Sequence, residues 1–163
     1  MNLLIQKLHI YKHYVNDKTR LSNSCFELKS NMMEEKHNNA TPQRPEGARP
    51  LDAGLIPINI PRYIEQIKGE EAYHKNGKNA ITVFKSDQLT ITLIALEEGQ
   101  NFHPGNEENE ATMSLQVVNG HLYFESFGNE VELRDGELLT LHQQLSFKAM
   151  AKSATICLLT MVK

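Results

Sequence analysis

The side chains best suited to chemistry gather in one stretch, "GQNFHPGNEENEATMSLQVVNG", Gly99 to Gly120. It carries an imidazole at His103 and carboxylates at Glu107, Glu108 and Glu110, just after another acidic pair at Glu97 and Glu98. A second imidazole, His142, closes the apolar run "LLTLH". Two imidazoles and one carboxylate are the donor set of a non-haem iron centre, so His103, Glu107 and His142 are the candidate metal ligands, with Glu110 as the alternate carboxylate. The carboxylates by themselves lack the spaced oxygen pattern of a calcium loop and read as solvated loop charge. Acid–base catalysis needs one carboxyl of a pair buried, and the sequence marks none of them so. Ser114, Ser126 and Ser146 lack the setting of a nucleophile elbow, and no glycine-rich loop is present to cradle phosphate. No residue is assigned a catalytic role. His9 and His13 lie four apart and could share a helix face, but two histidines without a third ligand rarely hold an ion.

The elements that must position these groups are bounded first by bulk properties. At 163 residues the chain has room for one domain with a sizeable core. A net charge of −3, 7% aromatics and no Trp argue against a nucleic-acid surface. No apolar run reaches the ~20 residues of a membrane helix. The opening "MNLLIQKLHIYKHYVNDK" is broken by Gln6, Lys7, His9 and Lys12 and makes a poor secretory signal. Asn39-Ala40-Thr41 fits the glycosylation sequon, which without a secretory route is a chance match. Cys25 and Cys157 show no metal-ligand spacing, and a reduced, cytoplasmic setting is expected.

The chain divides into two unlike parts. Residues 1–54 hold eight Lys/Arg against six Asp/Glu; residues 55–163 hold nine against fourteen. The first part has no sustained periodicity and ends in "NNATPQRPEGARPLDAG", which reads as a mobile linker, so 1–54 is expected to be a disordered or weakly structured extension. Residues 1–31 stop just before Met32-Met33, and either an over-extended start or an amphipathic arm fits their composition. From Leu55 the texture changes. "LIPINI" alternates like a short edge strand. Pro61 opens one helix, "PRYIEQIKGEEAYHK", with Ile64 and Ile67 on one face and Asn76-Gly77 as its stop. Strand follows strand after that: "AITVF", "LTITLIAL", "MSLQVV", "HLYFESF", "VEL", "LLTL", "FKAM" and "ATICLLTM". Many brief strands with polar turns and no helices between them predict an antiparallel sandwich or barrel over 55–163.

Asn119-Gly120 between two alternating runs predicts a two-residue hairpin. Its register pairs Val118 with His121, Val117 with Leu122, Leu115 with Phe124 and Met113 with Ser126. Met113, Leu115, Val117, Leu122 and Phe124 then share the inner face, while Ser114, Gln116, Val118, His121, Tyr123 and Glu125 face out.

Over roughly Ile81 to Val162 the chain resembles the cupin family. The residues that carry the resemblance are Gly99 and Gly120 bracketing the first motif, and Leu133, Gly136 and Glu137 of "LRDGELLTL" leading into the second. The helix-then-barrel order is also similar to small, RmlC-like single-domain bacterial cupins of unassigned function. The resemblance implies an all-β fold, a cupin-type antiparallel β-barrel or double-stranded β-helix (jelly roll), with one short N-terminal helix and a disordered N-terminal tail. It also implies a metal site, but here the family's Glu falls on Met113 and its last His on Phe147. The other two ligand positions fall near Glu107 and Asn109, and His142 stands where a Pro is usual.

A thioether and a phenyl ring do not supply the N, O or thiolate donors of a divalent metal. The expectation is therefore a metal-free, cofactor-free and non-catalytic barrel that is packed solid or binds a small apolar or amphipathic ligand. Met113, Leu115, Val117, Leu122, Phe124, Leu139, Leu141 and Phe147 would line it. The alternative is a metal-dependent oxygenase or isomerase with a site rebuilt from His103, Glu107 and His142. A third reading is an interaction module, since pairing of sheet edges into a homodimer removes an exposed edge. Neither nucleic acid nor membrane is expected as a partner.

Overall fold

The protein is described by a computed structural model covering residues 35–103, 112–142 and 147–162. Short runs of β-branched and apolar residues alternate with polar ones, and this period of two builds nearly all of it. In chain order the elements are β1 (Lys36–Asn38), β2 (Arg49–Asp52), α1 (Ile60–Gly69), α2 (Glu71–Asn76), β3 (Lys78–Lys85), β4 (Leu89–Leu96) and β5 (Asn101–Phe102). Then follow β6 (Thr112–Asn119), β7 (His121–Ser126), β8 (Asn129–Arg134), β9 (Leu138–Leu141), β10 (Phe147–Ala151) and β11 (Thr155–Val162).

Two antiparallel sheets face each other, one in the order β3-β4-β11-β6-β9 and the other in the order β5-β10-β7-β8. From β4 to β11 the chain crosses between them at every connection except β7–β8. This is the jelly-roll arrangement of the expected all-β class. Between the sheets lies a core containing Ile94, Leu96, Leu115, Val117, Leu122, Phe124, Phe147 and Leu159. A second apolar layer covers the outer face of the five-stranded sheet, where Ile67 and Tyr73 of the helices meet Ile81, Val83, Leu93 and Ala95. Strand β4 is buried on both faces, which explains why "LTITLIAL" is nearly continuously apolar.

Three local expectations are corrected. The hairpin at Asn119-Gly120 does not pair its own arms: β6 bonds to β11 and β9, whereas β7 bonds to β10 and β8. The pair is a corner between sheets. Only Gly120 has positive φ there, at 109°, whereas the hairpin turn expected from Asn-Gly needs positive φ at both residues. The inward face is nevertheless as expected, because β6 and β7 sit in opposite sheets that both turn the same alternate residues to the common core.

The single helix is two. Asn59 caps α1 by accepting from the Arg62 amide at 3.1 Å, and Pro61 stands in the first turn. Glu70 is extended (ψ 147°) and breaks the run, and Gly77 at φ 67° ends α2 with its amide bonded to the Tyr73 carbonyl. Finally, "LIPINI" forms no strand; it is an extended lead into α1, with Ile58 packed on the helix-side layer.

Part of the stretch read as linker is built into the domain. β1 and β2 pair with each other, and two arginines from this strap reach the free edge of β3. Arg44 donates to the Ala80 carbonyl at 3.0 Å and Arg49 to the Thr82 carbonyl at 3.1 Å. Residues 35–163 form one compact unit.

Candidate functional site

Because side chains alternate across a strand, β4 turns Thr92, Ile94 and Leu96 toward the inter-sheet space and β11 turns Leu159 and Met161 the same way. The facing sheet contributes Phe102 of β5, followed by His103, and β3, at the edge of the same sheet as β4, adds Lys78, Asn79 and Ala80. Together these residues line a cavity of about 420 Å³. Its exposed members, Lys78, Ala80 and His103, lie on β3 and just after β5, so it opens along the gap between two edge strands. Lys78 spans that gap, its Nζ donating to the Asn101 backbone carbonyl at 3.2 Å.

The cavity floor is apolar and its rim carries two polar groups. His103 Nδ1 lies 3.2 Å from the Phe147 carbonyl oxygen. A carbonyl only accepts, so Nδ1 bears the proton and Nε2 keeps its lone pair in the neutral ring. Phe147 in turn stacks at 4.8 Å on Phe124 and meets Phe102 edge-on at 5.7 Å.

The eight residues expected to line a pocket all lie on or against the inter-sheet core. Met113, Leu115, Val117, Leu122, Phe124 and Phe147 are buried within it, and Leu139 and Leu141 pack against it half-buried. None of the eight contributes to the cavity walls, which come from β3, β4, β5 and β11. The signals that could have found the walls are the small Ala80 at the mouth and the hydroxyl of the half-buried Thr92, both on otherwise bulky strands.

Of the candidate metal set, His103 is exposed beside β5, the first strand of its sheet, and His142 is exposed beyond β9, the last strand of the other. Glu107 and Glu110 lie outside the described residues. Among the described residues no group of three His, Cys, Asp or Glu side chains is placed to share an ion. His121 is on the outer face as expected, with Nε2 3.0 Å from the Glu132 carboxylate. Cys157 is fully buried in the core, and burial pushes its thiol up to about 12, which leaves no thiolate to act as a nucleophile.

No family model matches the sequence, and no curated protein does. Among solved structures, a cupin superfamily protein from Desulfitobacterium hafniense DCB-2 is similar over 78% of this chain and 97% of its own, at 15% identity and a TM-score of 0.52. The chain has the cupin fold. An RmlC-like cupin protein from Desulfovibrio desulfuricans is 17% identical, covering 54% of this chain and 84% of its own at a TM-score of 0.49. KdgF from Halomonas sp. is 16% identical, covering 53% and 81% at 0.48. In this cupin roll the positions where the sequence resemblance places a family Glu and His are the buried Met113 and Phe147. No helix of the described residues is long and apolar enough to cross a membrane.

Proposed function

We propose that this cupin roll is a binding barrel for a small amphipathic molecule and carries no catalytic residues of its own. The observation that supports it is the open cavity of about 420 Å³ between the sheets, a volume inside the roughly 300–1,000 Å³ of small-molecule sites. Its floor of Ile94, Leu96, Phe102 and Leu159 suits an aliphatic body, and its rim of Lys78 and His103 suits a polar end. The side chains at Met113 and Phe147 favour binding over metal chemistry, since neither offers a donor for a divalent ion. At about 0.8 kcal/mol per buried CH₂, six methylenes contribute about 5 kcal/mol of transfer free energy toward binding, against which the entropy lost on association is set.

Titration of methyl-labelled protein with 1-octanol tests the reading. Shifts at the Ile94, Leu159 and Met161 methyls are expected, and Ala80→Leu, which fills the mouth from an exposed position, should abolish them. Unmoved methyls across a panel of aliphatic probes would sink the proposal. So would stoichiometric iron, manganese, nickel or zinc, in protein purified without a His tag, that disappears in His103→Ala and His142→Ala.

A further inference from the structure

We infer that the molecule taken by this cavity is a small carboxylate with an aliphatic tail, held by Lys78 at the mouth; the inference rests on the binding reading above. Lys78 opens β3 and is exposed, and one of its ammonium protons is spent on the Asn101 carbonyl. An ammonium has three protons, so two remain to donate, and no carboxylate of the described residues pairs with it. Among the described residues no acidic side chain lines the cavity. An anionic head entering there meets a cation with spare donors and, among the described cavity residues, no opposing charge, whereas an amine meets like charge.

The register then orders the floor beneath that cation. Lys78 lies beside Leu96, Ala80 beside Ile94 and Thr82 beside Thr92. The wall thus runs from charge through apolar surface, and the Thr92 hydroxyl at its far end lies 3.5 Å from that of Thr82. From Leu96 to Thr92 the wall extends about 13 Å at ~3.3 Å per residue, which fits a medium-chain tail lying along β4. The other rim group does not compete for the head through Nδ1, which is already bonded to the Phe147 carbonyl.

Calorimetric titration of the full chain with octanoate, 1-octanol and octylamine tests this. The wild type should bind octanoate about fivefold more tightly than octanol, and octylamine most weakly, as a partly exposed charge-assisted hydrogen bond allows. Lys78→Met should bring octanoate and octanol to parity, and Lys78→Glu should make octylamine the best of the three. Circular dichroism checks that both variants fold. An affinity order that neither Lys78 variant alters, or equal binding of all three probes by the wild type, overturns the carboxylate inference and leaves the binding barrel standing. Binding of none of them overturns the barrel reading itself. Octanoate binding that persists in Ala80→Leu places the head elsewhere and also overturns the inference.

Discussion

A Cβ on Gly120 would lie 2.5 Å from the Ala154 carbonyl oxygen and 2.7 Å from Thr155 Cα, in a backbone at φ 109°. Both obstacles are main chain and cannot rotate away. Gly136 is also left-handed, at φ 81°, but a Cβ there meets nothing within 4 Å. The two positions therefore separate conformational strain from steric exclusion. Gly120→Ala is expected to destabilise by about 3 kcal/mol and Gly136→Ala by about 1 kcal/mol, measured by urea unfolding. Similar losses at both would show that the corner tolerates a side chain. This residue also marks what could be read at its scale. Asn-Gly announces a turn, and alternation announces which side chains go inside. Whether the arms pair with each other depends on the conformation of Asn119 and on the approach of residues 154–155, thirty-odd positions away in sequence. That Met113 and Phe147 offer no donor to a divalent ion was legible, because side-chain type alone decides that.

At the scale of elements, the break between α1 and α2 is held by one carboxylate. Glu70 receives Arg44 through both oxygens at 2.8 and 2.7 Å, Asn79 at 2.7 Å and Gln66 at 3.2 Å. Burial on its own raises the Glu70 carboxyl, but the hydrogen bonds from Arg44, Asn79 and Gln66, with the Arg44 charge, outweigh it and hold it below the ordinary value. A carboxyl lowered on folding adds stability at pH values above the ordinary carboxylate range, and that contribution is lost as pH falls through the folded value. Glu70→Gln is thus expected to cost about 2 kcal/mol at pH 7, with the gap to wild type closing as pH drops below about 4. A gap that stays constant down to pH 3 would mean that shape, not charge, carries the junction. The helix pattern was legible from Pro61, Ile64 and Ile67, but its interruption was not. Arg44 is 26 positions from Glu70, and a stretch rich in Pro, Asn and charge gives no period to show that it docks.

The whole molecule was legible as a class and less so as an arrangement. Many short alternating segments without helices between them can only cover one another as two layers, which is why an all-β roll could be expected. Alternation does not say which strand neighbours which, so the cavity could not be located: it is assembled from β3, β4, β5 and β11, whose residues span Lys78 to Met161. The same long-range closure makes the strap over 36–52 part of the domain. Without it, the Ala80 and Thr82 carbonyls on the β3 edge lose the guanidinium groups of Arg44 and Arg49, and the cavity's outer wall becomes an open template for another strand. A fragment of residues 35–163 should therefore melt about 10 °C above one of residues 55–163, given a combined loss of about 3 kcal/mol from the Glu70 cluster and the two edge caps. Size-exclusion chromatography should find the shorter fragment self-associating and the longer one less so. Adding back Arg44→Ala and Arg49→Ala within 35–163 should reproduce most of that drop, because the caps and not the short β1–β2 sheet protect the edge. Equal melting temperatures for the two fragments would show instead that the roll closes by its own nine strands, with the strap resting on it as a passenger.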